Sequence, residues 1–130
     1  MLFNALIRTH HITSRKKVAA LKRAADTHKC HVLLRSGGCP GIMYVEGRDQ
    51  LDVEQWVNVV RKLRYKDFQL VARPRAVEAE AEYNNKNDKA PELRDAEIGL
   101  VEVESVKEFG SRMARRGVWN WWRKGMGYQA

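Results

Sequence analysis

Hydrophobic and polar residues follow two different periods along the first 76 residues of the chain. Short apolar runs with β-branched residues, each bounded by turn-forming or polar residues, are typical of β-strands. They occur at residues 3–9, 31–34, 42–45 and 68–72. Two longer segments between them repeat their apolar residues every three to four positions, the spacing of an amphipathic helix. This part of the chain is therefore predicted to run strand, helix, strand, strand, helix, strand.

The predicted helices have recognisable starts. Ser14 is suited to cap the first helix, one face of which is predicted to hold Val18, Leu21, Ala25 and His28. The spacing of Asp52 and Gln55 is that of a capping box, so the second helix is predicted to begin there. Its predicted buried face consists of Val53, Trp56, Val57, Val60 and Leu63.

Two amphipathic helices are buried economically when both lie on one face of a sheet. We therefore predict an α+β ferredoxin-like βαββαβ sandwich over residues 1–76, whose opposite sheet face is open. Residues 77–98 are acidic and Asn-rich and are predicted to form a mobile loop. Residues 99–130 are predicted to be a helical, Trp-rich extension packed on or near the core, with a helix opened by Ser105 and Glu108. Gly110 lies inside that helix and weakens it by about 1 kcal/mol relative to alanine.

Composition and charge exclude some classes of protein, among them those that span a membrane. The 130 residues carry a net charge of +8, and this charge is unevenly placed. It is +9 in residues 1–76, −6 in 77–108 and +5 in 109–130. No apolar run reaches the roughly 20 residues of a membrane-spanning helix, and the first residues are too quickly polar for a secretory signal. Two cysteines do not make a disulfide framework, so an intracellular protein is expected.

Catalytic and metal sites are not predicted. His10 and His11 are adjacent, and in a strand adjacent side chains point to opposite faces. No nucleophile, base and orienting group are recognisable, so we expect no enzyme activity. The other histidines and cysteines (His28, Cys30, His31 and Cys39) lack the spacing of a zinc finger or ribbon, so no metal or cofactor is predicted. The glycine-rich residues 37–41 precede a strand rather than a helix and are read as a turn.

The basic character of the chain favours a polyanionic partner, since positive surfaces attract nucleic acids at long range. The sheet face away from the helices is the expected platform for RNA, although the motif of a standard RNA recognition domain is absent. Tyr44 or a tail tryptophan is expected to stack on a base. The predicted RNA-binding residues are His10, His11, Arg15, Lys16, Lys17, Arg35, Tyr44, Arg73, Arg75, Trp121, Arg123 and Lys124.

The C-terminal segment holds three of the four tryptophans and allows several interpretations. Trp119 and Trp122 are three residues apart and are placed to pack together on the body. Trp121 then points elsewhere and is available to a base, beside Arg123 and Lys124. Alternatively, the same basic aromatic tail binds a partner protein. Its two glycines and short length disfavour a membrane surface.

Four segments of the sequence resemble one domain family. They read HHI at 10–12 followed by SRKK at 14–17, PGIMYVEG at 40–47, and LRYKD at 63–67. This pattern resembles the C-terminal domain of the spliceosomal tri-snRNP pre-mRNA-processing factor, a domain also found C-terminal to RWD domains in other eukaryotic proteins. The resemblance covers residues 3–74 and is closer to the RWD-linked group. No RWD domain precedes Met1, so a fragment or a different architecture is expected.

The resemblance implies a ferredoxin-like core and, from the splicing member, binding of small nuclear RNA. The RWD-linked members imply no activity. Our first hypothesis is therefore a non-enzymatic module that binds single-stranded or structured small RNA. The alternative is a protein-interaction module without direct nucleic-acid binding, which docks another protein through the tail or a sheet edge.

Overall fold

The computed structural model describes residues 1–78, 80 and 97–128. Its strands are β1 (Phe3–Thr9), β2 (His31–Arg35), β3 (Gly41–Gly47), β4 (Gln69–Ala76) and β5 (Gly99–Val103). Its helices are α1 (Arg15–Thr27), α2 (Gln50–Leu63), α3 (Val106–Arg115) and α4 (Trp119–Met126). The predicted α+β class and the predicted order of the first six elements are confirmed.

The strands form one sheet in the order β4-β1-β3-β2-β5. The first four are antiparallel to their neighbours, with Leu6 of β1 opposite Tyr44 of β3 and Leu33 of β2 opposite the same tyrosine. Strand β5 is parallel to β2, in a register that places Val101 opposite Leu33. The prediction that residues 99–130 are only helical is therefore wrong. Strand β5 has only five residues, which is too short for an alternating apolar pattern to be recognised in the sequence. It forms a strand because it pairs with β2, which is distant in the sequence.

Helices cover both faces of the sheet, and alternate strand residues point into two separate cores. On one face, α1 and α2 pack on residues such as Ile7 and Val45, with Trp56 fully buried. On the other face, α3 and α4 pack on Leu6, Leu33, Ile42 and Tyr44 through Phe109, Met113, Trp122 and Met126. The prediction of an open sheet face is therefore wrong, because the C-terminal helices supply a third layer.

Helix starts agree with the sequence in two cases and differ in one. Ser14 and Ser105 accept hydrogen bonds from the backbone N–H groups of Lys17 and Glu108, as their capping positions predict. Helix α2 begins earlier than predicted. Its cap is Asp49, whose carboxylate accepts from Leu51 N–H at 3.1 Å. Asp52 instead lies in the first turn, where a negative charge suits the positive end of the helix dipole.

Strand β4 continues through Pro74, where the sequence predicted its end. Proline lacks the N–H that a central strand needs, but an edge strand tolerates it. Because β4 lies at the edge of the sheet, the strand extends to Ala76. The extra residues place Arg73 and Arg75 on the strand.

The predicted acidic loop over residues 77–98 lies largely outside the described residues. Among the described helices, none combines the length and the apolarity needed to cross a bilayer. Helices α3 and α4 pack on the sheet, as predicted for the C-terminal extension.

Candidate nucleic-acid interface

A groove of about 760 Å³ lies between the edge strand β4 and helix α4. Arg73 and Arg75 line one wall, and Trp121 and Lys124 line the other. These four residues were all predicted to bind RNA, although they are separated by up to 51 positions in the sequence. The structure therefore brings one part of the predicted set into a single cleft.

The strand and the helix position the cations of this groove. Arg73 and Arg75 lie on the part of β4 where its pairing with β1 shifts register, between the Asn4–Arg75 and Leu6–Ala72 pairs, and both line the groove. Lys124 lies in the last turn of α4. All three side chains are exposed, and within the described residues none of them forms an ion pair. Glu78 and Glu80 also line the groove, so its three cations exceed its two carboxylates by one charge.

Helix α4 lies close to the sheet because Gly125 has no side chain. A Cβ atom at this position would lie 2.9 Å from Leu6 Cδ2 and 3.8 Å from Val71 Cγ2. A larger residue would push the helix away from the strands that it covers.

Trp121 presents a half-buried ring at the groove. The ring packs edge-to-face against Tyr44, with centroids 5.8 Å apart and an interplanar angle of 82°. Aromatic pairs favour this geometry. The contact holds the indole in one orientation, with part of its surface exposed to a ligand in the groove.

Glu80 binds the first turn of α4 from inside the same groove. Its carboxylate accepts hydrogen bonds from Asn120 N–H at 3.0 Å and from Trp121 N–H at 2.8 Å. Val118, at the cap position, provides no side-chain acceptor of its own. The free N–H groups of a helix start attract negative charge. The chain therefore supplies its own anion to this end of the groove.

A buried polar network lies beneath Trp121. Asn4 Nδ2 donates to Tyr44 Oη at 3.2 Å, and Tyr44 Oη donates to Glu46 Oε1 at 2.7 Å. Burial, together with the nearby Glu46 charge, raises the pKa of Tyr44 well above its usual value, so the hydroxyl keeps its proton. Tyr44 has no exposed surface. The prediction that it stacks on a base is therefore wrong, because α4 covers this face of the sheet.

The other predicted cations lie elsewhere. Arg15 forms a bidentate pair with Glu102, with distances of 3.0 and 2.7 Å, and the hydrogen bond from Arg15 lowers the pKa of that carboxylate. Arg35 donates to the carbonyl oxygens of Glu104 and Pro40 at 2.9 and 3.0 Å. Strand β5 and the residue that follows it thus engage two arginines that the sequence assigned to RNA.

The tail and the first helix account for the remaining cations. Arg123 stacks over the Trp119 ring at 4.6 Å and donates to Tyr128 O. Lys16 is exposed on α1, and the ammonium of Lys17 lies 4.9 Å from the centre of the Tyr65 ring. Neither lysine lines the groove.

His10 and His11 lie at the far end of β1 from Arg75. Arg75 pairs with Asn4, whereas the histidines follow the last residue of the strand, roughly 20 Å along it. The sequence predicted that their side chains point to opposite faces, and this is wrong. Strand β1 ends at Thr9, and beyond it the two rings contact each other at 4.2 Å.

Sequence reasoning missed four polar groove residues: Asn4, Glu78, Glu80 and Asn120. No local signal distinguishes them. Asn4 stands in an apolar strand, the two glutamates in an acidic segment, and Asn120 among tryptophans. Each lines the groove only because β1, the segment after β4, and α4 meet there.

Comparison with protein-family models and with curated proteins finds no match to this chain.

Proposed function

We propose that this chain is a non-enzymatic RNA-binding module and that single-stranded RNA, or an unpaired stretch of a structured small RNA, binds along the groove between β4 and α4. The observation that carries the proposal is the meeting of Arg73, Arg75 and Lys124 with a partly exposed Trp121 in one cleft. Proteins that bind single strands combine a positive groove for the backbone with an aromatic ring for a base.

The two arginines suit the backbone of an extended strand. Both side chains are exposed and line the same groove. Guanidinium groups bind phosphate oxygens through paired N–H donors and keep their charge at all relevant pH values. A base next to the bound phosphates lies within reach of the Trp121 ring, while Lys124 faces them from the other wall.

The same proposal includes the finer description of the fold. We regard residues 1–76 as a ferredoxin-like core, to which β5, α3 and α4 are added. The βαββαβ order of this region and the resemblance to the C-terminal domain of the spliceosomal processing factor support it. In this scheme RNA does not bind the open sheet face, which α3 and α4 cover. It binds the groove between β4 and α4, at the edge of the sheet.

Fluorescence anisotropy with labelled single-stranded and duplex RNA, each at two salt concentrations, tests the proposal. The groove variant is R73Q/R75Q/K124Q. We expect the wild type to prefer single-stranded RNA and to bind more weakly at high salt, because phosphate neutralisation releases counterions. The groove variant should bind weakly. Its plot of log K against log salt should also be less steep by about two units, because each phosphate contact contributes roughly 0.7 to this slope for single strands and the variant removes three cations.

Two matched variants separate the groove from general basicity. K22Q/R23Q/K62Q removes three exposed cations outside the groove and should bind RNA as the wild type does. R15Q/K16Q/K17Q tests the first-helix surface predicted from the sequence, and we expect a smaller loss there because Glu102 already engages Arg15. Equal losses in all three variants would contradict a specific groove.

Replacing Trp121 by leucine tests the stacking contact. A stacked base contributes about 1–3 kcal/mol, so affinity should fall by roughly 5- to 150-fold. Thermal unfolding of the same variant shows whether the fold is retained. Feeble wild-type binding that is indifferent to strandedness would contradict the proposal and favour the alternative, a protein-interaction module.

A further inference from the structure

Three potential metal ligands meet at the end of β1. The imidazole nitrogens of His10 and His11 and the thiol sulfur of Cys39 all lie within 4.8 Å of one another. His10 Nδ1 is 3.8 Å from Cys39 Sγ, and the two imidazole rings are 4.2 Å apart at 85°. The three side chains come from two segments that are 28 residues apart in the sequence.

The backbone holds these segments together without a metal. His10 N–H donates to Lys66 O at 2.9 Å, and Gly41 N–H donates to His10 O at 3.1 Å. A Cβ atom at Gly41 would collide with Thr9 Oγ1 and Ile12, so only glycine lets the turn before β3 approach so closely. Cys39 stands two residues before this glycine. The cluster is thus built on the ordered end of the sheet.

The separations suit a tetrahedral metal ion. With Zn–N bonds of about 2.0–2.1 Å and a Zn–S bond of about 2.3 Å, ligand atoms in a tetrahedron lie roughly 3.3–3.6 Å apart. The observed 3.8 Å between nitrogen and sulfur is close to that value. The ligand atoms lie within 4.8 Å of one another, so side-chain rotations that move them by roughly 1 Å bring all three to tetrahedral separations.

The donor set selects the class of metal. Two imidazoles and a thiolate are borderline to soft ligands, which favour Zn²⁺ and similar transition metals over Mg²⁺ or Ca²⁺. We propose that His10, His11 and Cys39 form a binding site for a transition-metal ion of the Zn²⁺ class. This inference is independent of the proposed RNA groove, which lies at the other end of β1.

Asp67 supplies a further oxygen at the same site. Its Oδ2 is 3.5 Å from His10 Nδ1, and its side chain is 65% exposed. A carboxylate at this distance from His10 adds negative charge beside a bound cation. His11 and Cys39 are exposed as well, so an ion has free access from solvent. Binding must release the thiol proton, since the thiolate is the ligand.

The remaining histidines and cysteine are not part of this cluster of metal ligands. Cys30 is buried, and its thiol contacts the carbonyl oxygens of His28 and Asp52 at 3.4 and 3.7 Å. His31 Nδ1 is 3.0 Å from Glu97 O. The ligands of the proposed site are therefore His10, His11 and Cys39, with Asp67 beside them.

Titration of the full chain with Co²⁺, followed by absorption spectroscopy, tests the site. Tetrahedral Co²⁺ has intense d–d bands, and a thiolate ligand adds a sulfur-to-cobalt charge-transfer band. We expect saturation at one ion per chain, displacement by Zn²⁺, and a higher melting temperature with Zn²⁺ because the ion binds the folded state.

Variants assign the ligands. C39S should abolish the charge-transfer band, H10A and H11A should each weaken Co²⁺ binding by roughly tenfold or more, and D67N should weaken it less. H28A, a histidine outside the cluster, is the matched control and should bind as the wild type does. All these side chains are at least partly exposed, so circular dichroism is expected to show folded variants. A charge-transfer band that persists in C39S, or the lack of saturable Co²⁺ binding by the wild type, would overturn the proposal.

Discussion

The guanidinium of Arg116 donates two hydrogen bonds to the carboxylate of Glu46, from Nε to Oε1 at 3.1 Å and from Nη2 to Oε2 at 2.6 Å. The side chains are only 11% and 1% exposed. Burial alone would lower the pKa of Arg116, but the hydrogen bonds and charge of Glu46 outweigh it and raise the pKa, so the guanidinium stays charged. The contact ties the end of α3 to the central strand of the sheet.

Removing one partner of this pair should be costly. In R116M the Glu46 carboxylate remains buried without its partner, and losses of about 3–5 kcal/mol are typical in that situation. Urea unfolding measures the change in the free energy of unfolding. R112A is the control, because Arg112 forms a more exposed pair with Glu108, and it should change stability by less than about 1 kcal/mol. Equal effects of the two substitutions would refute the structural role of the buried pair.

Gly110 should resist replacement by alanine although it lies in a helix. By helix propensity alone, G110A would stabilise α3 by about 1 kcal/mol. In the structure, a Cβ atom here would lie 2.9 Å from Cζ3 of the buried Trp122 ring. Overpacking of this kind typically costs about 1–3 kcal/mol, so we expect net destabilisation in thermal or urea unfolding. S111A, on an exposed neighbour in the same helix, is the control. A more stable G110A would show that α4 lies further from α3.

The two ends of the tryptophan segment should differ sharply in their contribution to stability. Trp122 is 4% exposed and stacks against Phe109 with ring centroids 5.9 Å apart, whereas Trp119 is 38% exposed. W122A should therefore lose about 3–5 kcal/mol, the range for a large buried aromatic. W119A should lose far less, mainly its contact with Arg123.

Deletion of residues 118–130 extends this test. Because Trp122 and Met126 belong to the second core, we expect the truncated chain to lose cooperative unfolding or to melt at a much lower temperature. A truncated chain with wild-type stability would mean that the tail is an independent docking segment.

His31 should make stability depend on pH. Its partial burial, with a further contribution from Arg116, lowers its pKa below the ordinary value of 6.5. The unfolded chain then binds more protons than the folded chain as pH falls below 6.5, so the free energy of unfolding decreases from there to the folded-state pKa. The slope from one such group is at most about 1.4 kcal/mol per pH unit.

The variant H31N tests whether His31 causes the pH dependence. Asparagine keeps an N–H donor for the Glu97 carbonyl but does not titrate. Chemical unfolding between pH 5 and 7 should show a shallower dependence in H31N than in the wild type. H28N replaces the histidine at the C-cap of α1 and serves as the matched control. The same slope in H31N and the wild type would assign the effect to other groups.

Much of the fold could be predicted because it depends on residue patterns that are local in the sequence. The spacing of Val53, Trp56 and Val60 predicts the buried face of α2, and all three are buried. Ser14 and Ser105 precede helices and cap them. Such signals act within one or two turns of the chain, where backbone geometry and side-chain spacing decide the outcome.

The candidate sites were predicted less completely. The sequence identified Arg73, Arg75, Trp121 and Lys124 among twelve candidates but did not indicate that they share a groove, and Tyr44 was assigned a role that its burial excludes. The cluster of His10, His11 and Cys39 has no recognisable spacing, since β1 and the turn before β3 become neighbours only in the folded sheet.

By itself the sequence determined the order of the first six elements, the amphipathic faces of α1 and α2, and the concentration of positive charge. Only the tertiary structure decided that β5 pairs with β2, that α3 and α4 cover the second sheet face, and that Arg116 neutralises Glu46 across 70 positions. The physical reason is that the periodicity of apolar residues indicates only which face of a single helix or strand is buried. Strand pairing, layer packing and buried charge pairs instead depend on which distant surfaces the chain brings together.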